Sequence, residues 1–188
     1  IKSQGNYIYQ RPPNEILELV DDSLPPRVLI DENKKFMVHL YRDSYKSIIE
    51  LSNPEIKLAG LRLNPNSNSR SRINYYNNIM ISKMDQIDKS AKQIKGLPKN
   101  PKLANIKWSP DQTKIAMTNT KEEGVELWFI DLEKLTAKKL TGPKLNASLG
   151  DVITWYQDSK NILAKFKLKN SPDIIDGEDV VPTGPIIS

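Results

Sequence analysis

Short apolar runs, each ended by a turn-forming residue, recur through the middle of the chain. β-branched and aromatic residues dominate these runs, and Pro, Asp, Gly or Asn bounds them, which is typical of strands. The clearest set has a strand at 106–108, the turn 109–113, and further strands at 114–119, 125–131 and 137–140. Four short antiparallel strands cannot bury both faces of their own sheet. The pattern therefore predicts a sheet that needs neighbouring sheets.

The strand–turn–strand pattern recurs further along the chain. Trp108-Ser-Pro-Asp111 corresponds to Trp155-Tyr-Gln-Asp158, a separation of 155 − 108 = 47 residues. A period of this size with a Trp-x-x-Asp turn is typical of a β-propeller blade. Trp108, Trp155 and also Trp128 lie in predicted strands, where we expect them to pack between blades. Asp111 and Asp158 are interpreted as turn residues that hydrogen-bond the local backbone, not as catalytic carboxylates.

An earlier blade is predicted from strands at 28–30 and 36–41. The offset between Glu32 and Asp111 is 79 residues, not 47, which indicates an insertion at about 43–74. Its Pro, Asn and Ser residues at 64–70 predict a loop with little reason to pack. The other pieces predicted for this blade are a helical turn at 47–51, an extended segment at 54–63, and strands at 78–84 and 91–94.

These elements together predict a mainly β fold. We expect a partial, open β-propeller of about two and a half four-stranded antiparallel blades, with an inserted loop and helical segment and a short N-terminal helix at 14–20. Propellers close with typically four to eight blades, so the domain is expected to continue beyond the chain. The predicted boundaries are a lead-in at 1–27, a first blade at 28–97, a second blade at 98–145, and a partial third blade with a loop at 146–188.

Composition narrows the possible chemistry. The chain has no Cys, which excludes disulfides and thiolate sites, and its only histidine is His39. His39 shares a predicted strand face with Met37 and Tyr41, so it is interpreted as a half-buried strand residue and not as a catalytic base. We predict no metal site and no cofactor. The net charge of +5 is spread out, which favours a solvated surface over nucleic-acid binding. No apolar run approaches the ~20 residues of a membrane span.

Several stretches resemble the prolyl oligopeptidase family of serine peptidases. Tyr9 to Val20 resembles the family's lead-in, and Leu58-Ala-Gly-Leu-Arg-Leu-Asn-Pro65 resembles the glutamyl endopeptidase branch specifically. The resemblance covers nearly the whole chain from about Tyr9. The further stretches that carry it are Ser71-Arg72, Tyr75-Tyr76, Trp108-Ser-Pro-Asp111, Asn119-Thr120, Glu126-Leu-Trp128, Leu145-Asn146 and Val181-Pro-Thr-Gly-Pro185.

The resemblance implies a parent enzyme in which an N-terminal propeller caps a C-terminal α/β-hydrolase domain with a Ser-Asp-His triad. A nucleophile elbow needs Gly-x-Ser-x-Gly, and this sequence contains no such string. We therefore expect no catalytic residue here and no activity from this chain alone, although its parent would be a serine peptidase. The implied partners are the hydrolase domain of the same polypeptide and a peptide substrate.

The resemblance also bears on location and on substrate recognition. Bacterial members commonly carry secretory signals and plant relatives are chloroplast enzymes. The start at Ile1 and the Lys/Asn/Ile-rich composition favour a periplasmic or secreted protein. An endopeptidase that prefers glutamate must recognise a carboxylate, which suits the planar fork of arginine. The candidate substrate-binding residues, all in or beside the insertion, are Arg62, Arg70, Arg72, Tyr75 and Tyr76. Alternatively, these arginines pair with Glu50 or Glu55 and hold the insertion down.

Two functions fit the sequence. The first is the propeller part of a secreted or periplasmic serine peptidase, which restricts access to the active site and helps to bind peptide. The alternative is a periplasmic propeller-type module that binds proteins and has no enzyme attached. The repeat fits both equally well. Leu58 to Pro65 and Pro182-Thr-Gly-Pro185 favour the peptidase.

Overall fold

A computed structural model describes residues 12–20, 23–58, 60–86 and 91–170 of the chain. The Pro182 to Pro185 ending and residues 1–11 and 21–22 of the lead-in lie outside these residues. The helices are α1 (Asn14–Val20), α2 (Ile48–Leu51) and a 3₁₀ turn (Met84–Gln86). The strands are β1 (Arg27–Ile30), β2 (Phe36–Tyr41), β3 (Ile56–Leu58), β4 (Leu61–Asn64), β5 (Ser69–Arg70), β6 (Asn78–Lys83), β7 (Lys92–Gln93), β8 (Leu103–Trp108), β9 (Lys114–Lys121), β10 (Gly124–Asp131), β11 (Thr136–Lys139), β12 (Ile153–Trp155) and β13 (Ile162–Ala164).

The strands form separate antiparallel sheets, as blades do. The first sheet has the order β1-β2-β6-β7 and the second has the order β8-β9-β10-β11. A third sheet contains β12 and β13 only, and the insertion forms a small sheet of its own from β3, β4 and β5. None of the described sheets closes on itself. The predicted fold class, an open propeller with a short helix and an insertion, is confirmed.

Alternating side chains explain how the sheets stack. In β2 the side chains of Phe36, Val38 and Leu40 are buried, while those between them are half-buried. The buried side chains of the first sheet and those of the second form one hydrophobic core. The opposite face of the second sheet forms another core with β12 and the segment before it. The second sheet is therefore covered on both faces, which accounts for the nearly unbroken burial along β9.

The turns between the first two strands of each blade have the same geometry. The backbone N–H groups of Asp31, Ser109 and Tyr156 each donate to the carbonyl oxygen five residues further on, at 3.2, 2.9 and 2.9 Å. Asp31 therefore corresponds to Ser109, and the offset is 109 − 31 = 78 residues. The sequence alignment of Glu32 with Asp111, at 79 residues, is wrong by one position. The residue three places after each of these has a positive φ: Lys34 (54°), Gln112 (59°) and Ser159 (55°).

Those left-handed residues also connect neighbouring blades. Gln112 Oε1 accepts from the N–H of Glu32 at 3.3 Å, and Ser159 Oγ accepts from the N–H of Asp111 at 2.9 Å. The second and third turns are thus each hydrogen-bonded to the turn of the preceding blade. Trp155 adds a further link, because its Nε1 donates to the carbonyl oxygen of Lys107 at 3.0 Å.

The insertion packs more closely than the sequence predicts. The stretch at 64–70 is not a loose loop, because β4 and β5 pair and the side chains of Ser67 and Ser69 are buried with their hydroxyl groups 2.7 Å apart. Asn64 Oδ1 accepts from the N–H of Asn66 at 2.9 Å and stabilises the turn. The carbonyl oxygen of Asn68 accepts from the N–H of Ala147 at 2.9 Å. The hairpin is therefore attached to the segment that leads into β12.

Candidate functional site

The five candidate residues of the insertion lie in three different surroundings. Arg62 and Arg72 contact one carboxylate on the far side of the small sheet. Tyr75 and Arg70 line a polar crevice between the insertion and the second sheet. Arg70 also lines, together with Tyr76, a cavity where the first three sheets meet. The structure therefore does not bring all five together, and each group needs its own interpretation.

Arg62 and Arg72 are paired with Glu55. The guanidinium of Arg62 contacts Glu55 Oε1, and Arg72 Nε donates to Glu55 Oε2 at 3.2 Å. Ser71 Oγ donates to the same Oε2 at 2.6 Å. The hydrogen bonds from Ser71 and Arg62 lower the pKa of Glu55 to about 2. These contacts match the alternative interpretation, in which the arginines hold the insertion down.

Tyr75 lies against the second sheet. Lys102 Nζ is 6.0 Å from the centre of its ring, within the range of a cation–π contact. Burial raises the pKa of the Tyr75 hydroxyl, and the charge of Glu50 adds to this, while hydrogen bonds with Thr120 and Ser69 act in the opposite direction. The hydroxyl therefore stays protonated near neutral pH. Its contacts with Ser69 and Thr120 join the insertion to β9.

Arg70 and Tyr76 line what we call the junction cavity, which has a volume of about 540 Å³. Its walls come from β1, from the insertion, from β8 and from the residues before β12. Arg27, the first residue of β1, also lines it. Arg27 pairs with Leu40 in the first sheet, so its side chain lies on the face turned towards the second sheet. Arg27 Nη1 donates to the Tyr76 hydroxyl oxygen at 3.3 Å.

The junction cavity holds an excess of positive charge. Among the residues that the structure describes, neither Arg27 nor Arg70 forms an ion pair. Asp151 is the single acidic residue in the lining, and its carboxylate already pairs with Lys107 Nζ at 3.1 Å. The two guanidinium groups are therefore not neutralised from within the cavity.

A β-bulge shapes the wall that β8 contributes. The pairing of β8 with β9 shifts between Ala104 and Lys107, and Asn105 has a φ of 51°. Asn105 Nδ2 donates to Thr118 Oγ1 at 2.9 Å, which fixes the bulge. Bulges re-aim side chains and are common beside functional sites. Sequence reasoning missed Arg27 and Asn105, although a cation directly after Pro25-Pro26 at the start of a strand was a usable signal for Arg27.

A larger cavity of about 700 Å³ lies beside the insertion. Arg42, Lys46 and Lys102 line it together with Asp43 and Glu50. Lys46 Nζ donates to the carbonyl oxygen of Ile73 at 2.8 Å, and the Asp43 carboxylate accepts from Asn77 Nδ2 at 2.6 Å. The lining thus carries charges of both signs, which indicates no preference for one kind of ligand.

The repeat residues predicted from the sequence lie outside the junction cavity. Trp108 and Trp128 pack against the core between the first two sheets, and Trp155 packs against the next core.

The two turn aspartates are stabilised in their ionised form. Burial opposes ionisation of Asp111, but hydrogen bonds from Ser109 and Thr113 and the charge of Lys114 outweigh it. The pKa of Asp111 is therefore lowered to about 2. Asp158 Oδ1 accepts from the N–H groups of Lys160 and Asn161, both at 2.9 Å, which lowers the pKa of Asp158.

His39 lies on the face of the first sheet that points away from the core. Its Nε2 is 2.9 Å from Ser82 Oγ. Across the described ranges, no three His, Asp or Glu side chains come together in a group that could hold a metal ion. No helix among those residues has the length and apolar character that crossing a membrane would require.

Comparisons with known proteins identify relatives. No family model matches the chain. A protein of Oryza sativa subsp. japonica named "Probable glutamyl endopeptidase, chloroplastic" is 29% identical over 191 residues, which cover 95% of this chain and 20% of the relative. A protein of Arabidopsis thaliana with the same name is 27% identical over 187 residues, which cover 94% and 19%. The chain thus spans about a fifth of the length of these curated relatives.

Among solved structures, an acylaminoacyl peptidase in complex with Z-Gly-Gly-Phe-chloromethyl ketone is similar, with 20% identity and a TM-score of 0.42. That match covers 81% of this chain and 19% of the other. The two plant relatives match nearly the whole chain and share the name to which the Leu58 to Pro65 stretch pointed. The chain is therefore similar, over nearly its whole length, to a part of two proteins named as probable glutamyl endopeptidases.

Proposed function

We propose that this chain is the N-terminal propeller part of a secreted or periplasmic serine peptidase. In this role it restricts access to a separate C-terminal α/β-hydrolase domain and helps to hold the peptide. One observation carries the proposal: 95% of the chain matches only 20% of a relative named as an endopeptidase. The remaining four fifths of such a protein leave ample room for further blades and a hydrolase domain.

Exposed apolar faces support the presence of further blades. On the outer face of the first sheet, Val28 and Ile30 are exposed. In β13 and the residues after it, Leu163, Phe166 and Leu168 are exposed as well. Burying apolar surface contributes about 25 cal/mol per Å², so exposed apolar side chains on the first sheet and at β13 favour contact with additional sheets. We propose that blades elsewhere in the intact protein cover these faces.

The junction cavity supports a role in peptide binding. It lies at β1 and β8, each the first strand of its sheet along the chain and an edge strand, next to the residues that precede β12. When blades of this kind are arranged around an axis, their inner strands line the central channel. A peptide that passes along the channel towards a hydrolase domain would contact Arg27, Arg70 and Tyr76. The chain itself would contribute binding and access control, and the chemistry would take place elsewhere.

A comparison of the intact protein with the isolated 1–188 segment tests this function. We expect the intact protein to hydrolyse a short fluorogenic glutamyl peptide but to cleave the same sequence poorly when it lies in a folded protein. We expect the isolated segment to hydrolyse neither substrate. Hydrolysis by the isolated segment would contradict the proposal. An intact protein that binds peptides or proteins but hydrolyses none would instead favour the non-enzymatic binding module.

A further inference from the structure

We propose that Arg27 and Arg70 form a carboxylate-binding site in the junction cavity, and that its ligand is the acidic side chain of a bound peptide. The inference deepens the proposed function, on which the choice of a peptide as ligand rests. It also assigns a different role to Arg70 than to Arg62 and Arg72, although the sequence predicted the same substrate-binding role for all three arginines.

The first argument is charge. Among the described residues, Arg62 and Arg72 pair with the carboxylate of Glu55, whereas neither Arg27 nor Arg70 forms an ion pair. A guanidinium presents its N–H donors in a planar fork that matches the two oxygen atoms of a carboxylate. Two such groups in one cavity, with Asp151 already paired to Lys107, leave room for one further negative charge. A neutral ligand would not use this excess.

The second argument is that the backbone of Arg70 is held in place. Arg70 pairs with Leu63 in the small sheet. The preceding residue, Ser69, forms a parallel bridge with Ala147 and is buried with its hydroxyl 2.7 Å from that of Ser67. The insertion therefore holds the backbone of Arg70 beside the cavity that β1 also lines. A binding group whose backbone is already ordered loses less entropy when the ligand binds.

The third argument concerns Arg27 and Tyr76, which act together. Tyr76 is fixed by two backbone hydrogen bonds with Leu103, both at 2.9 Å, and it packs against the first core. Its hydroxyl oxygen accepts from Arg27, so its own proton can be donated to a ligand oxygen. The site thus presents two cations and one neutral donor. Leu29, Ile73 and Ile106 line the same cavity and would contact the methylene groups of the side chain.

Binding of short peptides to the intact protein tests the site directly. The probes are an N-acetylated, C-amidated tripeptide with central glutamate and the same peptide with glutamine, measured by isothermal titration calorimetry after any reactive serine of the intact protein has been blocked with a fluorophosphonate. We expect the glutamate peptide to bind at least about tenfold more tightly, which corresponds to ~1.4 kcal/mol. Arg27→Ala and Arg70→Ala should each abolish this preference, and Arg70→Lys should restore part of it. Arg62→Ala and Arg72→Ala are matched controls and should change it less than about twofold.

A second variant keeps the test valid if an arginine variant folds poorly. Asp151→Asn removes the negative charge from the lining, so we expect it to strengthen binding of the glutamate peptide while leaving the glutamine peptide unchanged. Weaker binding of the glutamate peptide by Asp151→Asn would overturn the proposal. Equal losses in all four arginine-to-alanine variants, or no loss in Arg27→Ala and Arg70→Ala, would also overturn it.

The source of the carboxylate is distinguished by a third probe, the glutamine peptide with a free C-terminal acid. If this peptide alone bound in an arginine-dependent manner, the acidic side chain would be excluded as the ligand. Arginine-dependent binding without hydrolysis would support the site while refuting the peptidase. Hydrolysis of glutamyl peptides with KM unchanged in Arg27→Ala and Arg70→Ala would support the peptidase while refuting the site.

Discussion

The second sheet and the insertion of the first sheet consist of similar strands and turns, but different forces stabilise them. In the second sheet the two long strands β9 and β10 are packed on both faces, and Met117 is 0% exposed. In the insertion the strands are short, and α2 presents Ile48 to solvent at 85% exposure. Serine hydroxyls and the Glu55 ion pairs hold it instead. Hydrophobic stacking therefore stabilises the second sheet, which we call the frame, and polar contacts attach the insertion to it.

The two regions also differ in how they treat charge. Glu126 of the second sheet is 5% exposed, and its carboxylate accepts from Asn119 Nδ2, Trp128 Nε1 and Lys139 Nζ. Burial opposes its ionisation, but these hydrogen bonds outweigh burial and lower the pKa of Glu126. In contrast, Arg70 at the end of the insertion has no ion-pair partner among the described residues. The buried carboxylate of Glu126 is thus neutralised by groups of the same sheet, whereas the guanidinium of Arg70 remains available to a ligand.

The largest difference between the two regions is expected in their apolar residues. Met117→Ala removes a side chain from the core between the first two sheets, and we expect a loss of about 2–5 kcal/mol of local unfolding free energy. Ile48→Ala in α2 should change it by less than about 0.5 kcal/mol. Hydrogen exchange of the β9 and β10 amides in the intact protein measures both. Similar effects of the two substitutions would contradict the distinction between frame and attachment.

Glycine substitutions sharpen the comparison. A Cβ on Gly124, where β10 begins, would lie 2.3 Å from the carbonyl oxygen of Pro143, and φ there is 156°. We expect Gly124→Ala to cost about 1–3 kcal/mol. Gly60 in the insertion has a φ of 82° but open space around it, so Gly60→Ala should cost only the backbone strain, about 1 kcal/mol.

Gly142→Ala is the control for the glycine series, because a Cβ there meets nothing within 4 Å. Thermal unfolding of the intact protein should rank the three variants Gly124→Ala, Gly60→Ala and Gly142→Ala in order of decreasing loss. If Gly124→Ala and Gly142→Ala unfolded at the same temperature, this result would contradict the close contact between Gly124 of β10 and Pro143.

A smaller effect is expected at the contact between the second and third sheets. Trp155→Phe keeps an aromatic side chain but removes the five-membered ring of the indole, and with it the hydrogen bond from Nε1 to the carbonyl oxygen of Lys107, at a cost of at least about 1 kcal/mol. Protection of the β8 and β12 amides against hydrogen exchange should fall together. Tyr156→Phe, at an exposed neighbouring side chain, serves as the control. A drop confined to β12 would indicate that the two blades are not coupled through this bond.

The smallest effect concerns pH and the insertion. Glu55 has a pKa of about 2 in the folded protein against 4.5 ordinarily, so it binds fewer protons when folded. Its stabilising contribution is therefore complete above pH 4.5 and is lost as the pH falls from 4.5 towards 2. We expect the difference in denaturation midpoint between the wild type and Glu55→Gln to shrink over this range.

Much of the blade structure could be predicted from the sequence because its signals are local. Alternating apolar residues in β2 and the repeated turn at Trp108 and Trp155 specify strands and blades without reference to distant residues. The one-residue error in aligning the first turn arose because different side chains have the same role in the two turns. Asp31 Oδ1 accepts from the N–H of Phe36 at 2.6 Å, and Ser109 Oγ accepts from the N–H of Lys114 at 2.9 Å. A carboxylate and a hydroxyl do not align by residue type.

The candidate site could be predicted only in part, because it depends on contacts between distant residues. Asn and Ser residues at 64–70 are typical of a loop, and nothing local indicates that Asn68 meets Ala147. Likewise, the identity of an arginine does not reveal its partner. Arg62 and Arg70 are equivalent in sequence terms, yet one contacts Glu55 and the other lines the junction cavity. Arg27, far from both in the sequence, reaches that cavity through the pairing of β1 with β2.

The central claim, that this chain is the propeller part of a serine peptidase, is tested most directly by labelling the intact protein with a serine-reactive fluorophosphonate. The modified residue is then located by mass spectrometry. We expect one labelled serine, outside residues 1–188 and within a Gly-x-Ser-x-Gly sequence. An intact protein that takes up no label, or one labelled at a serine within residues 1–188, would contradict the account.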